Sequence, residues 1–173
     1  MNRKMLIVAA GAVLFGMSLI VSALPPPSRI VSQRLNRKGP PGPPPPAPAP
    51  VWLTSFEAAK AAARAERKVI LVNFTGSDWC PWCVRLHDEV FSQRAFLDYA
   101  SRHLILLTVD FPRKKRMTPA QKKENNALAQ KYNIEGFPTI LLLAPDGRVI
   151  ARTGYRKGGA VAYVDHLRAL LKR

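Results

Sequence analysis

Cys80 and Cys83 are the only cysteines in the 173-residue chain, and only Pro81 and Trp82 separate them. That spacing suits a dithiol that can open and close. If a helix begins between them, Cys80 lies at its amino-terminal edge and Cys83 one turn along. The thiolate is the reactive form of cysteine, and unpaired N–H groups with the helix dipole stabilise negative charge at such an edge. Cys80 is therefore read as the attacking thiol. Cys83 is the resolving thiol that releases a mixed disulfide.

Three plainer readings compete with this one. A structural metal site needs further ligands, yet there is no second cysteine pair, and His87, His103 and His166 do not fall at zinc-ligand spacing. A purely structural disulfide would close so small a loop that it adds little stability. Inert buried thiols sit poorly beside Asp78 and Pro81. Neither a metal nor a cofactor is expected.

The elements that must position the pair follow from hydrophobic periodicity and capping residues. Thr54 or Ser55 can cap an alanine-rich helix over 57–64. The apolar run 68–74 predicts a strand buried on both faces, followed by the polar turn 75–78. From Cys83 the pattern turns helical, with Val84, His87, Val90 and Phe91 on one face, and Leu86 and Val90 also sharing one. A second apolar strand spans 104–109. Thr118-Pro119 opens a helix to about Tyr132, proline being suited to the first helical position. Strands 137–143 and 148–153 flank Ala144-Pro145-Asp146-Gly147 as a hairpin, and a helix from Gly159 to Leu171 closes the chain. The order α-β-α-β-α-β-β-α implies parallel pairing, with an antiparallel strand added by the final hairpin.

The segment Phe74-Thr75-Gly76-Ser77-Asp78-Trp79-Cys80-Pro81-Trp82-Cys83 resembles the active-site segment of the thioredoxin superfamily. More narrowly, it is similar to exported bacterial members with a Gly-Ser-Asp-Trp-Cys-x-x-Cys signature. Gly136-Phe137-Pro138-Thr139, followed by an apolar strand and Asp146-Gly147, is a second match in the right order. The resemblance covers about 65–173 and implies an α/β thioredoxin-like fold, a central mixed sheet flanked by helices. It further implies that Pro138 is a cis-proline against the dithiol, and that Phe137 and Thr139 line a substrate groove. Trp79 is read as partly a packing aromatic. Trp82 is read as an exposed apolar contact for a partner peptide, next to Pro81. One departure stands out. Thioredoxins keep a buried carboxylate in the strand before the dithiol, and Asn73 occupies that place here, so Asp78 and Glu89 become the candidate substitutes, with a solvated surface carboxylate the favoured reading of each.

Charge and proline content divide the chain. Of 16 prolines, 11 lie between Pro25 and Pro50. All 11 acidic residues and 21 of the 27 basic ones fall in 52–173. Residues 1–23 read as a signal peptide or membrane anchor: Arg3-Lys4, an uncharged apolar run over 5–21, then Val21-Ser22-Ala23 as a cleavage point. The run is long enough that retention as an anchor stays open. Residues 24–51 read as a disordered Pro-rich linker, within which the tract 39–50 favours an extended, semi-rigid polyproline II spacer. Residues 52–173 form the folded domain. The protein is thus expected outside the cytoplasm, periplasmic or otherwise extracytoplasmic, and monomeric.

The basic excess draws anionic partners without choosing among them. No aromatic–basic interleaving or recognition helix supports nucleic acid, so none is expected. Arg113-Lys114-Lys115-Arg116, with Lys122 and Lys123, reads as a solvated face or as a dock for an acidic partner or lipid. The sequence therefore points to thiol–disulfide exchange on protein thiols and disulfides with a separate redox partner, reductase or isomerase in preference to oxidase. Its rivals are a non-catalytic peptide-binding module and a basic membrane-surface scaffold.

Overall fold

The structure, a computed structural model, describes residues 49–172. The leader reading for 1–23 and most of the linker reading lie outside the described residues. The run at 68–74 becomes strand β2 (Val69–Thr75), which is almost wholly buried because both faces of its sheet are covered. On one side β2 pairs in parallel with β3 (Leu104–Asp110), and on the other antiparallel with β4 (Thr139–Leu143). Strands β1 (Trp52–Leu53) and β5 (Val149–Thr153) form the edges, giving the order β1-β3-β2-β4-β5. The expected mixed sheet flanked by helices is what forms.

Alternation along β2 sends successive side chains to opposite cores. Leu71, with Leu106, Ile140 and Leu142, packs under α3 (Arg94–His103) and α5 (Gly159–Leu171). Ile70, Val72 and Phe74 pack under α1 (Phe56–Glu66) and α4 (Pro119–Lys131). Ser55 caps α1, its hydroxyl accepting from the Ala58 N–H, and Thr118 caps α4 from the Gln121 N–H. Ala59 and Ala63 are fully buried, so α1 lies close on the sheet through its small residues.

The structure departs from the sequence reading in three places. Strand β1 was not foreseen, because Trp52 and Leu53 are too few residues to show a period, and only their register with Leu106 and Leu107 defines the strand. The helix after the cysteines is not continuous. Helix α2 (Pro81–Leu86) passes into a π turn (His87–Phe91), and α3 starts afresh after Gln93. A π turn carries an extra residue and rotates the buried face. Leu86, Val90 and Phe91 point inward, whereas Val84 is 45% exposed and His87 is exposed.

Lastly, it is β4, the first strand of the hairpin, that runs against β2. Helix α4 starts near the carboxyl end of β3, where Asn125 Nδ2 donates to Asp110 O at 2.7 Å. It ends at the opposite end of the strands, where Tyr132 Oη donates to Gly147 O in the hairpin turn. Residues 133–138 then climb back, so β4 begins beside the end of β2, with Thr139 opposite Phe74.

Candidate functional site

The chain leaves β2 at Thr75 and meets the dithiol within five residues. Gly76 permits this turn: a Cβ there would come within 2.7 Å of three atoms of the Trp79 indole. Its carbonyl accepts from the N–H groups of Trp79 (3.2 Å) and Cys80 (2.9 Å), closing the loop. Cys80 is the N-cap of α2, as expected from the spacing, and Pro81 takes the first helical position. Cys80 and Cys83 are joined as a disulfide with Cα atoms 5.2 Å apart, and the Cys83 N–H donates to Cys80 Sγ at 3.2 Å. Both are nearly covered, at 4% and 6% exposure.

A second loop braces the first. The Phe111 N–H donates to Thr75 O at 2.8 Å, and Trp79 Nε1 donates to Phe111 O at 2.7 Å. Ser77 donates to Asp110 from both its N–H (2.9 Å) and its hydroxyl (2.6 Å). Asp78 accepts three backbone N–H groups, from Arg113 (2.9 Å), Lys114 (2.8 Å) and Lys115 (3.0 Å). Arg113 lays its guanidinium 3.9 Å from the centre of the Trp79 ring.

Hydrogen bonding, foremost from the Arg113 N–H, holds the Asp78 carboxyl below its ordinary range. The sign follows directly. A carboxylate with a depressed folded pKa contributes its stabilisation above the unfolded value of about 3.9 and loses it as pH falls through the folded value. The amides of Arg113, Lys114 and Lys115 are thus expected to exchange hydrogen much more slowly than in an Asp78→Ala variant at pH 6. That difference should shrink progressively below about pH 4 as the carboxyl protonates.

Phe137 stands edge-on to Trp79 at 5.9 Å and tilted against Phe111 at 5.1 Å, which brings the climbing segment to the dithiol loop. The Phe137–Pro138 peptide bond is cis, as the resemblance implied. Thr139 donates from its hydroxyl to Gly136 O at 2.7 Å. Trp79, Phe137, Pro138 and Thr139 are half-buried, whereas Pro81 and Trp82 are exposed, Trp82 at 50%. The structure therefore gathers all the residues singled out for the site around one end of the sheet.

It also adds neighbours that the sequence reading missed. Tyr155 lies against Trp82 at 5.2 Å, and the Arg85 guanidinium sits over both rings at 5.6 and 5.7 Å. Phe111 and Asp110 are in no recognisable motif, since only the fold brings their loop here.

Beneath Cys83 lies a cavity of about 350 Å³ lined by Asn73, Thr75, Thr108, Val84 and His87, among others. Asn73 Oδ1 is buried there without a hydrogen-bond partner. Neither candidate substitute for the missing carboxylate fills the role. Asp78 is occupied by the second loop, and Glu89 is bound by Arg85 at 2.6 Å and by the Tyr155 hydroxyl at 2.7 Å. The Arg85 hydrogen bond, with Tyr155 next, holds the Glu89 carboxyl below its ordinary range. Both are anions committed elsewhere.

The family model described as a thioredoxin-like domain matches residues 56–164. The chain belongs to the thioredoxin-like family. Disulfide bond reductase DsbH of Chlamydia pneumoniae is 35% identical over 118 residues, which is 68% of this chain and 71% of that one. A solved structure described as DsbH oxidoreductase aligns at 32% identity with a TM-score of 0.70, covering 82% of this chain and 98% of that one. A thioredoxin from Thermus thermophilus shares the fold, at 19% identity and a TM-score of 0.54, over 72% of this chain and 88% of its own. With a Cys-x-x-Cys disulfide in this fold, the thioredoxin-like chain is a thiol–disulfide oxidoreductase.

Proposed function

We propose that the protein reduces disulfides of other proteins outside the cytoplasm, with Cys80 as nucleophile and Cys83 as resolving thiol. The observation that carries this reading is the position of Cys80 at the N-cap of α2, bonded to the cysteine one turn along. In the reduced protein the Cys80 thiolate attacks one sulfur of a substrate disulfide. A mixed disulfide forms, and the departing substrate sulfur takes up a proton. Cys83 then gives up its proton and attacks Cys80 Sγ, which frees the second substrate thiol and closes the Cys80–Cys83 bond. Two electrons pass to the substrate, and a separate dithiol partner must return two.

Trp79, Pro81, Trp82, Phe137, Pro138 and Thr139 would form the groove that receives the substrate chain. Pro81 and Trp82 offer its exposed apolar part. The direction rests on the reductase that the chain resembles at 35% identity. The extracytoplasmic setting rests on the signal-like pattern of residues 1–23, the linker 24–51 serving as a spacer to the domain at 52–173.

Titration in glutathione buffers with thiol trapping tests the reading. Two thiols are expected to appear and disappear together, at a midpoint near the thioredoxin end of the dithiol range, about −270 mV, rather than near the oxidant end, about −120 mV. A midpoint at the oxidant end would reverse the direction. A pair that does not interconvert would leave a peptide-binding module.

A further inference from the structure

The loop at 112–117 carries Arg113, Lys114, Lys115 and Arg116, all exposed. A run of surface cations is ordinarily a solvated face. This one is built into the site. Every atom of the Asp78 carboxylate that can accept is spent on its backbone, and Asp78 is two residues from Cys80. Phe111, at the root of the loop, is bonded to both Thr75 and Trp79. Arg113 is stacked on Trp79, the residue before Cys80. The two nearby carboxylates, Asp78 and Asp110, are each engaged by the dithiol loop or the brace itself. Among the described residues, the side chains of Lys114, Lys115 and Arg116 have no hydrogen-bond or ion-pair partner. The fold thus holds unpaired cations in a set place on the rim of the dithiol.

We propose that these cations dock an acidic segment of the protein whose disulfide is exchanged, an inference that rests on the exchange reading above. Rim charges of this kind act mainly on encounter rate and partner choice. An acidic protein segment fits the rim better than an anionic membrane. Lys115 lines the same cavity as Cys83, and Arg113 stacks on Trp79 beside Cys80. A bilayer laid against this loop would therefore crowd the dithiol that a partner disulfide must reach.

The test uses the full chain and pairs of disulfide-bonded peptides that differ only in glutamate or glutamine beside the cystine. At about 0.01 M salt, where the screening length is about 30 Å, the acidic peptide is expected to be exchanged about tenfold faster in kcat/KM. At about 1 M salt, where that length is about 3 Å, the ratio should approach one. Lys114→Gln with Arg116→Gln should also bring the low-salt ratio near one. Arg64→Gln with Arg67→Gln, at the opposite end of β2, should leave the ratio standing.

Equal rates for both peptides in the wild type, or a preference that survives Lys114→Gln with Arg116→Gln, overturns the docking proposal alone. Exchange of neither peptide overturns the thiol reading and the docking proposal with it. Equal peptide rates together with binding to anionic phospholipid vesicles that the Lys114/Arg116 variant loses would assign the loop to a membrane surface, against the proposal.

Discussion

Cys80→Ser is expected to lower protein-disulfide reduction by three or more orders of magnitude, as loss of a covalent nucleophile does. Serine keeps the size and the N-cap oxygen but has no accessible anion at neutral pH, so the first attack is lost while the fold stands. Cys83→Ser should behave differently. The first attack proceeds, the resolving step has no thiol, and the protein accumulates as a mixed disulfide through Cys80. Mass spectrometry of acid-quenched mixtures separates the two cases. A covalent adduct of substrate mass is expected with Cys83→Ser and none with Cys80→Ser. The chain has no other cysteine to take over. Undiminished activity in Cys80→Ser would therefore remove thiol chemistry from the account and leave the groove as a peptide-binding surface. An adduct with Cys80→Ser and none with Cys83→Ser would exchange the two roles.

The dithiol was legible because its chemistry is local. A cysteine pair, a proline at the first helical position and a capping position all lie within four residues. Gly136-Phe137-Pro138-Thr139 was legible only by resemblance, since nothing in four residues says which other loop they meet. The contacts of Phe137 with Trp79 and Phe111 depend on residues 133–138 climbing back along the sheet. That path is a tertiary fact. The same holds for Asp78. As a residue type it looked like a general base or a solvated carboxylate, and its three N–H partners lie 35 to 37 residues away. The helical face drawn through Val84, His87, Val90 and Phe91 holds in part: Val84, His87 and Phe91 line one cavity, but Val84 and His87 are exposed while Val90 and Phe91 are buried. A regular period of 3.6 was assumed across a segment that contains a π turn. Asn73 stands where the resemblance implies a carboxylate, and its side-chain oxygen is buried without a partner in the cavity that Cys83 also lines.

Phe74→Ala should produce the largest loss of stability, about 3–5 kcal/mol, from the removed ring and the cavity left behind. Phe74 is fully buried and lies in register between Val109 of β3 and Thr139 of β4. Its ring meets Tyr132 at 6.4 Å, and Tyr132 in turn meets Phe56 at 6.1 Å, so it links the sheet to both α1 and the end of α4. Surroundings made of two strands and two helices cannot easily collapse into the space. Set against a typical domain stability of about 5–15 kcal/mol, the loss should move the urea midpoint by one molar or more. Val84→Ala, at 45% exposure, serves as the comparison and should stay within about 0.5 kcal/mol. Alternation along β2 adds a sharper expectation. Asn73 and Thr75 face the cavity under Cys83, and Phe74 faces away from it. Below its unfolding midpoint the Phe74→Ala protein should therefore keep a dithiol midpoint potential close to wild type. A shifted potential at full folding would mean that the ring braces the dithiol loop itself, through Thr75 and the Phe111 N–H it holds.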